Sequence, residues 1–261
     1  MRKALICLGL IATCFATSRA QADFLVEYTS GHTDMGLAID GGSLFLHYHF
    51  GVGSAVLNGA LLAPGDPDEF APSEAFVRVA DAARSFPSVA IPFLGTVIGD
   101  PVWVLPQGNI AGLPFMGFAT EELDPFEFGS AGFRLTGFSG PAGSQFALWQ
   151  SGPFGDPTVF FQTNNGINPA VDLYPIGIGS HNHANWGFTK EGVYNLTIEG
   201  FANPLGVGLP QLTDTGVFTF VVGSATAVPE PSTIALIAVC GVGLFSLRRR
   251  LRVAARDNAT S

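Results

Sequence analysis

The sequence predicts an all-β fold, and three observations carry the prediction. No apolar pattern of helical period persists for three turns between residues 23 and 227. Glycine and proline, 33 and 18 in the 261-residue chain, recur every few residues and cut it into short segments. The segments between them are aromatic and β-branched, the composition of strands.

Taken in order, the clearest strands are SLFLHYHF (Ser43 to Phe50), PVWVL (Pro101 to Leu105), GFRLTGF (Gly132 to Phe138), QFALWQ (Gln145 to Gln150) and TVFFQT (Thr158 to Thr163). Each is bounded by turn residues. SEAFVRVADAARS, from Ser73, scans as a helix and also, through Phe76 to Val79, as a strand. The ending EGVYNLTIEGFANP…GVFTFVVG reads as two antiparallel strands, and Gly192-Val193-Tyr194 resembles a tyrosine corner. The architecture expected is an immunoglobulin-like or jelly-roll β-sandwich at residues 23–227, flanked by a signal peptide and a C-terminal transmembrane sorting helix.

Both flanks have a physical signature. Arg2 and Lys3 precede an apolar stretch from Ala4 to Thr17, and Ala20-Gln21-Ala22 is an A-x-A cleavage site. Residues 1–22 therefore read as a secretory signal cleaved after Ala22. Cys14 raises a lipoprotein alternative, which Thr13 fits poorly. At the other end, Thr233 to Leu247 is an apolar run shorter than the roughly 20 residues of a comfortable span. Arg248, Arg249, Arg250 and Arg252 follow it and hold that end in the cytoplasm by the positive-inside rule. Residues 228–252 thus combine Pro-Glu-Pro, an apolar run and an arginine cluster, with 253–261 as a cytoplasmic tail. This tripartite pattern resembles a PEP-CTERM sorting signal. The resemblance implies an exosortase and the secretion machinery as partners, transient membrane anchoring, and delivery to the cell surface, outer membrane or extracellular matrix.

The expected mature domain has no cysteine, since Cys7, Cys14 and Cys240 fall in the flanks. Neither disulfides nor thiolate ligands are open to it. Only Arg78, Arg84, Arg134 and Lys190 are basic there, against 19 acidic residues, a balance of −15. That balance argues against nucleic acid or anionic membrane as a partner and suits a soluble exported domain that attracts cations.

The five histidines are His32, His47, His49, His181 and His183, in GHTDMG, LHYHF and SHNHANW. Residues i and i+2 of a strand share a face. His47 pairs in this way with His49, His181 with His183, and His32 with Asp34. Imidazole and carboxylate are zinc ligands, and a tetrahedral site needs three or four. The expected site joins the two H-x-H strands around zinc. His32 and Asp34, in a turn suggested by Gly31 and Gly36, add ligands or orient the others. An imidazole-rich set favours zinc over calcium or magnesium. Asn182 is expected to point away, Asn185 to orient a histidine or cap a turn, and Trp186 and Phe188 to pack in the core.

GHTDMGLAIDGGSLFLHYHF, DPVWVLPQ (Asp100 to Gln107), GFRLTGFSGPAGSQFALW (Gly132 to Trp149) and HNHANWGFTKEGVYNLTIE resemble the motifs of the surface-anchored, choice-of-anchor M type domain. The likeness runs from about Gly31 to Glu199. With the tail, the chain resembles the zinc-regulator-repressed PEP-CTERM proteins, which implies a part in zinc acquisition or handling and no enzymatic activity. The family's histidine-bearing motifs fall on His32, Asp34, His47, His49, His181 and His183.

Two rivals compete. Gly41 to His49 fits the G-x5-H-x-H start of a cupin motif, but no glutamate follows at the required distance, which weakens a cupin-like metalloenzyme. A structural or adhesive matrix protein is the other, with extracellular polysaccharide as ligand and Trp103 and Trp149 as a sugar platform. Asp66, Asp68, Glu69, Asp124 and Glu127 read as solvated loop acids. No GxSxG elbow, P-loop or dinucleotide fingerprint is present.

Overall fold

Glycine-bounded apolar segments become strands throughout residues 25–225, the span described in the computed structural model. The expected signal peptide, sorting signal and tail lie outside the described residues. The first strands are β1 (Val26–Asp40), β2 (Ser43–Phe50), β3 (Val56–Leu57), β4 (Ala60–Leu61), β5 (Glu69–Phe70), β6 (Ala75–Val79), β7 (Arg84–Ser85) and β8 (Val102–Leu105). They are followed by β9 (Pro114–Ala119), β10 (Phe128–Ser139), β11 (Phe146–Ser151), β12 (Pro157–Gln162) and β13 (Leu173–Ile176). The last four are β14 (His181–His183), β15 (Asn185–Phe188), β16 (Gly192–Pro204) and β17 (Leu212–Val222). The segment from Ser73 resolves as strand β6 and then a single 3-10 turn, Asp81–Ala83. Alternating burial along Ala75–Val79 decides it, because every second side chain enters the core.

The described residues are all-β, in two sheets. A 12-stranded sheet follows the path β13-β10-β16-β17-β6-β1-β2-β5, with β9 also pairing β1 and β14 pairing β9. A 5-stranded sheet runs β12-β11-β15-β8-β7. Trp186 of the smaller sheet is fully buried and packs on Phe118 (5.3 Å between ring centroids) and Phe220 (5.6 Å) of the larger. Phe188 joins Phe220 at 5.2 Å. The apolar faces of both sheets close on these rings, so Trp186 and Phe188 are core residues. Trp103 and Trp149 are buried as well, and neither forms a sugar-binding surface.

β1 belongs to both halves of the large sheet. Val26–Tyr28 pairs parallel with β6, whereas Gly31–Gly36 pairs parallel with β9 and Thr33–Asp40 antiparallel with β2. The change of partner falls at Gly31, which has φ +88° and lies against the Ser54 carbonyl. The turn expected around His32 is therefore a strand: one left-handed glycine lets it switch neighbours without ending.

Tyr194 completes the corner expected from sequence. Its Oη accepts from the Lys190 N–H (2.9 Å) and donates to the Lys190 carbonyl (2.8 Å). Tyr194→Phe leaves both backbone groups unpaired and should cost about 1–2 kcal/mol. Thermal denaturation should register this as a fall of roughly 2–6 °C. An unchanged melting temperature would mean that water replaces the hydroxyl.

Candidate metal centre

The outer face of four adjacent strands, β2-β1-β9-β14, carries every histidine of the chain. Register aligns them in rows. His49 lies opposite Asp34, Asp34 opposite Gly117, and Gly117 opposite His183. The neighbouring row is His47, Gly36, Ala119 and His181. Inner positions of β1 and β2, among them Met35, Leu37, Leu46 and Tyr48, are fully buried in the core. The period of two then obliges His32, Asp34, His47 and His49 to share the opposite face.

The rows also explain why the two H-x-H pairs do not form one site. Two strands, β1 and β9, separate β2 from β14, a backbone separation of about 14 Å at ~4.8 Å per strand. Among the described residues, the possible metal ligands fall into two groups. His32, His181 and His183 form one; His47, His49, Glu69 and Glu122 form the other. Within each, one ligand atom per residue lies within 4.8 Å of the rest. The single centre expected from sequence is thus divided, because its strands are not neighbours.

In the first group His32 leans across from β1, its ring 6.0 Å from that of His181 and 5.1 Å from that of His183. His183 is stacked on Phe115 at 3.6 Å. Burial, with His32 and His181 nearby, pushes its imidazole down to about 4, so it is neutral at ordinary pH. His181 is shifted up instead, chiefly by its 3.0 Å hydrogen bond with Glu121. Asp34 lies beside His32 (Oδ2 to Nε2, 3.3 Å) and is nearly buried. Burial raises its carboxyl, opposed most by His32.

The space between these side chains exists because residue 117 is glycine. A Cβ there would lie 2.2 Å from Asp34 Oδ1 and 3.0 Å from His183 Nδ1. Both of those atoms are buried and have no hydrogen-bond partner. Two orphaned acceptor-capable atoms facing one cradle are a costly arrangement unless something polar joins them.

The second group is built on β2, β5 and the turn after β9. His47 is fully buried, stacked on Phe45 (5.1 Å, 5°) and set over Gly36, where a Cβ would lie 2.7 Å from its Nε2. Glu122 Oε1 lies 3.2 Å from His47 Nε2 and 3.5 Å from His49 Nδ1. Glu69 faces His49 across the β2–β5 pair, and Asp68 reaches within 4.0 Å of the same imidazole. Asp68 and Glu69, expected to be solvated acids, are accessible to solvent and also lie beside His49, because β5 continues the sheet by one more strand. Asp66 does stay outside, capping Ala63, and Asp124 caps Phe126.

Glu121 and Glu122 were not among the expected residues. A signal existed for Glu121 alone, since 115, 117 and 119 face the site and 121 continues that phase beyond β9; Glu122 is brought in by the turn. Thr120 fixes the turn: its hydroxyl donates to the Gly177 carbonyl (2.6 Å) and its N–H to Ser180 (2.9 Å). Asn185, expected to orient a histidine, instead bonds Gln107 and the Trp149 carbonyl. Asn182 is exposed and on the other side of β14 from its flanking histidines.

The comparisons bear on the other end of the chain. Residues 227–250 match the model of the PEP-CTERM protein-sorting motif. The chain carries a PEP-CTERM sorting signal. Such signals are recognised by exosortase, so the chain is exported and sorted to the cell surface. The match covers the sorting segment and not the β domain. No curated protein matches the chain significantly.

Proposed function

We propose that this PEP-CTERM protein is a surface metal-binding protein, and that His32, His181 and His183 hold zinc with Asp34 beside them. The observation that carries this reading is the cradle over Gly117, where Asp34 Oδ1 and His183 Nδ1 are buried without partners. A divalent cation in contact with both would satisfy them and offset the cost of an ionised buried carboxylate. The donor set, imidazoles with a carboxylate, suits zinc better than calcium. Likeness to the choice-of-anchor M domain and to zinc-regulator-repressed proteins supports zinc acquisition or handling as the role. We read that role as binding without catalysis.

Metal content of the full chain, purified without a tag, tests the reading. One or more zinc ions per chain, lost with His183→Ala, is the expected result. A metal-free chain whose stability zinc leaves unchanged would favour a structural role in the matrix.

The pH dependence follows from the two shifted imidazoles. His183 is already neutral above about pH 5 and offers zinc no proton competition there. His181, shifted up by Glu121, takes its proton first as the pH falls. Zinc-dependent gains in melting temperature are expected at neutral pH and should vanish between roughly pH 6.5 and 5. In the metal-free domain His183 works against stability in acid, opposed by His181 and Asp34, whose protonated forms the fold favours. The folded-state value of His183 is depressed, so its contribution is present above the unfolded value of ~6.5 and fades towards pH 4. A zinc shift undiminished at pH 5 would mean that carboxylates alone hold the ion.

A further inference from the structure

The second group of side chains has a different composition from the first. It offers two imidazoles and two carboxylates, His47, His49, Glu69 and Glu122, contributed by three separate segments. Its geometry is fixed from beneath and above. His47 cannot swing, because it is fully buried between Phe45 and the glycine at position 36. Glu122 sits on a turn whose Thr120 is tied by hydroxyl and amide to the segment before β14, and whose Leu123 is buried. The same turn places Glu121 on His181, so adjacent carboxylates serve the two groups.

We infer that this PEP-CTERM protein binds a second divalent first-row transition ion at His47, His49, Glu69 and Glu122, separately from the first. Four donors of mixed nitrogen and oxygen type complete a tetrahedral set. Such a set is less selective for zinc than one dominated by imidazole, and admits cobalt and manganese as well. Glu69 and Glu122 act as ligands here, and Asp68, at 4.0 Å from His49, is placed to hold that ring. The inference does not depend on the first site being occupied, since no ligand is shared.

The test counts metal on the full chain after equilibrium dialysis against zinc, then against cobalt(II), whose visible absorption reports its donor set. The variants are Glu69→Gln with Glu122→Gln, and His181→Ala with His183→Ala. Glu69 is exposed and the Glu122 side chain half-exposed, and their amides keep the same shape and can still hydrogen-bond the imidazoles, so the metal-free melting temperature should change little. Two ions per wild-type chain are expected, and one in each double variant, with different cobalt spectra for the two survivors. The inference is overturned if the glutamine variant binds as many ions as wild type. It is also overturned if either pair of changes removes all metal, which would mean one shared centre. A wild-type chain with one ion, lost only with His181 and His183, would leave the proposed function standing alone. No metal on the wild-type chain would overturn both.

Discussion

Gly31→Ala is expected to lower the melting temperature by roughly 5–12 °C. A Cβ at this position would lie 1.9 Å from the Ser54 carbonyl oxygen and 2.9 Å from Ala55 Cα, both of them backbone. The φ of +88° adds strain for any residue with a side chain. Neither the clash nor the strain can be relieved by a rotamer change. The strand would have to straighten where it passes from β6 to β9, and both pairings would suffer. A cost of about 2–4 kcal/mol converts to that fall for a domain of this size. Thermal melts of the variant check it. A change of less than about 2 °C would show that the loop around Ser54 yields freely.

Gly117→Ala should act on the metal more than on the fold. The added methyl would push on Asp34 Oδ1 (2.2 Å), on the Asn182 carbonyl (2.8 Å) and on His183 Nδ1 (3.0 Å). It fills the cradle and tilts β14, which is held by only three paired residues. Zinc affinity should drop on the order of 10–100-fold, the scale on which misplaced supporting groups act. Zinc titration followed by dialysis measures it. Unchanged affinity would show that the ion does not sit between Asp34 and His183. Gly36→Ala is the companion at the other group, where the methyl would meet His47 Nε2 at 2.7 Å.

Much of the fold could be read from the sequence, because strand signals are local. Ser43–Phe50 is the strand the sequence predicts, residue for residue, and Tyr194 makes the backbone bonds expected of a corner. The face shared by His47 and His49 follows from the period of a strand alone. What could not be read was which strands are neighbours. The parallel pairing of β1 with β9 joins residues 31–36 to 114–119, and no periodic pattern announces it. That pairing separates the two H-x-H strands. It also brings Glu122 to His47 from 75 residues away. Gly31 and Gly36 misled for a related reason. Glycine marks tight turns and also marks close approach, and here Gly36 makes room for an imidazole ring.

The switch of partners along β1 also sets an order of events as the chain folds. Residues 31–36 meet 114–119 only after a loop of about 80 residues has closed, and parallel pairing of this kind is slow to form. His181 and His183 dock later still in sequence, against the strand that this closure positions. The β1–β2 hairpin already aligns His32, Asp34, His47 and His49 on one face, but the three-histidine set needs β14 as well. A site that includes His181 and His183 is therefore complete only once β14 has docked on β9. Zinc bound there should make its contacts late, so it is expected to slow unfolding and leave the folding rate where it was. For an exported protein, an ion bound there would act as a latch on lifetime.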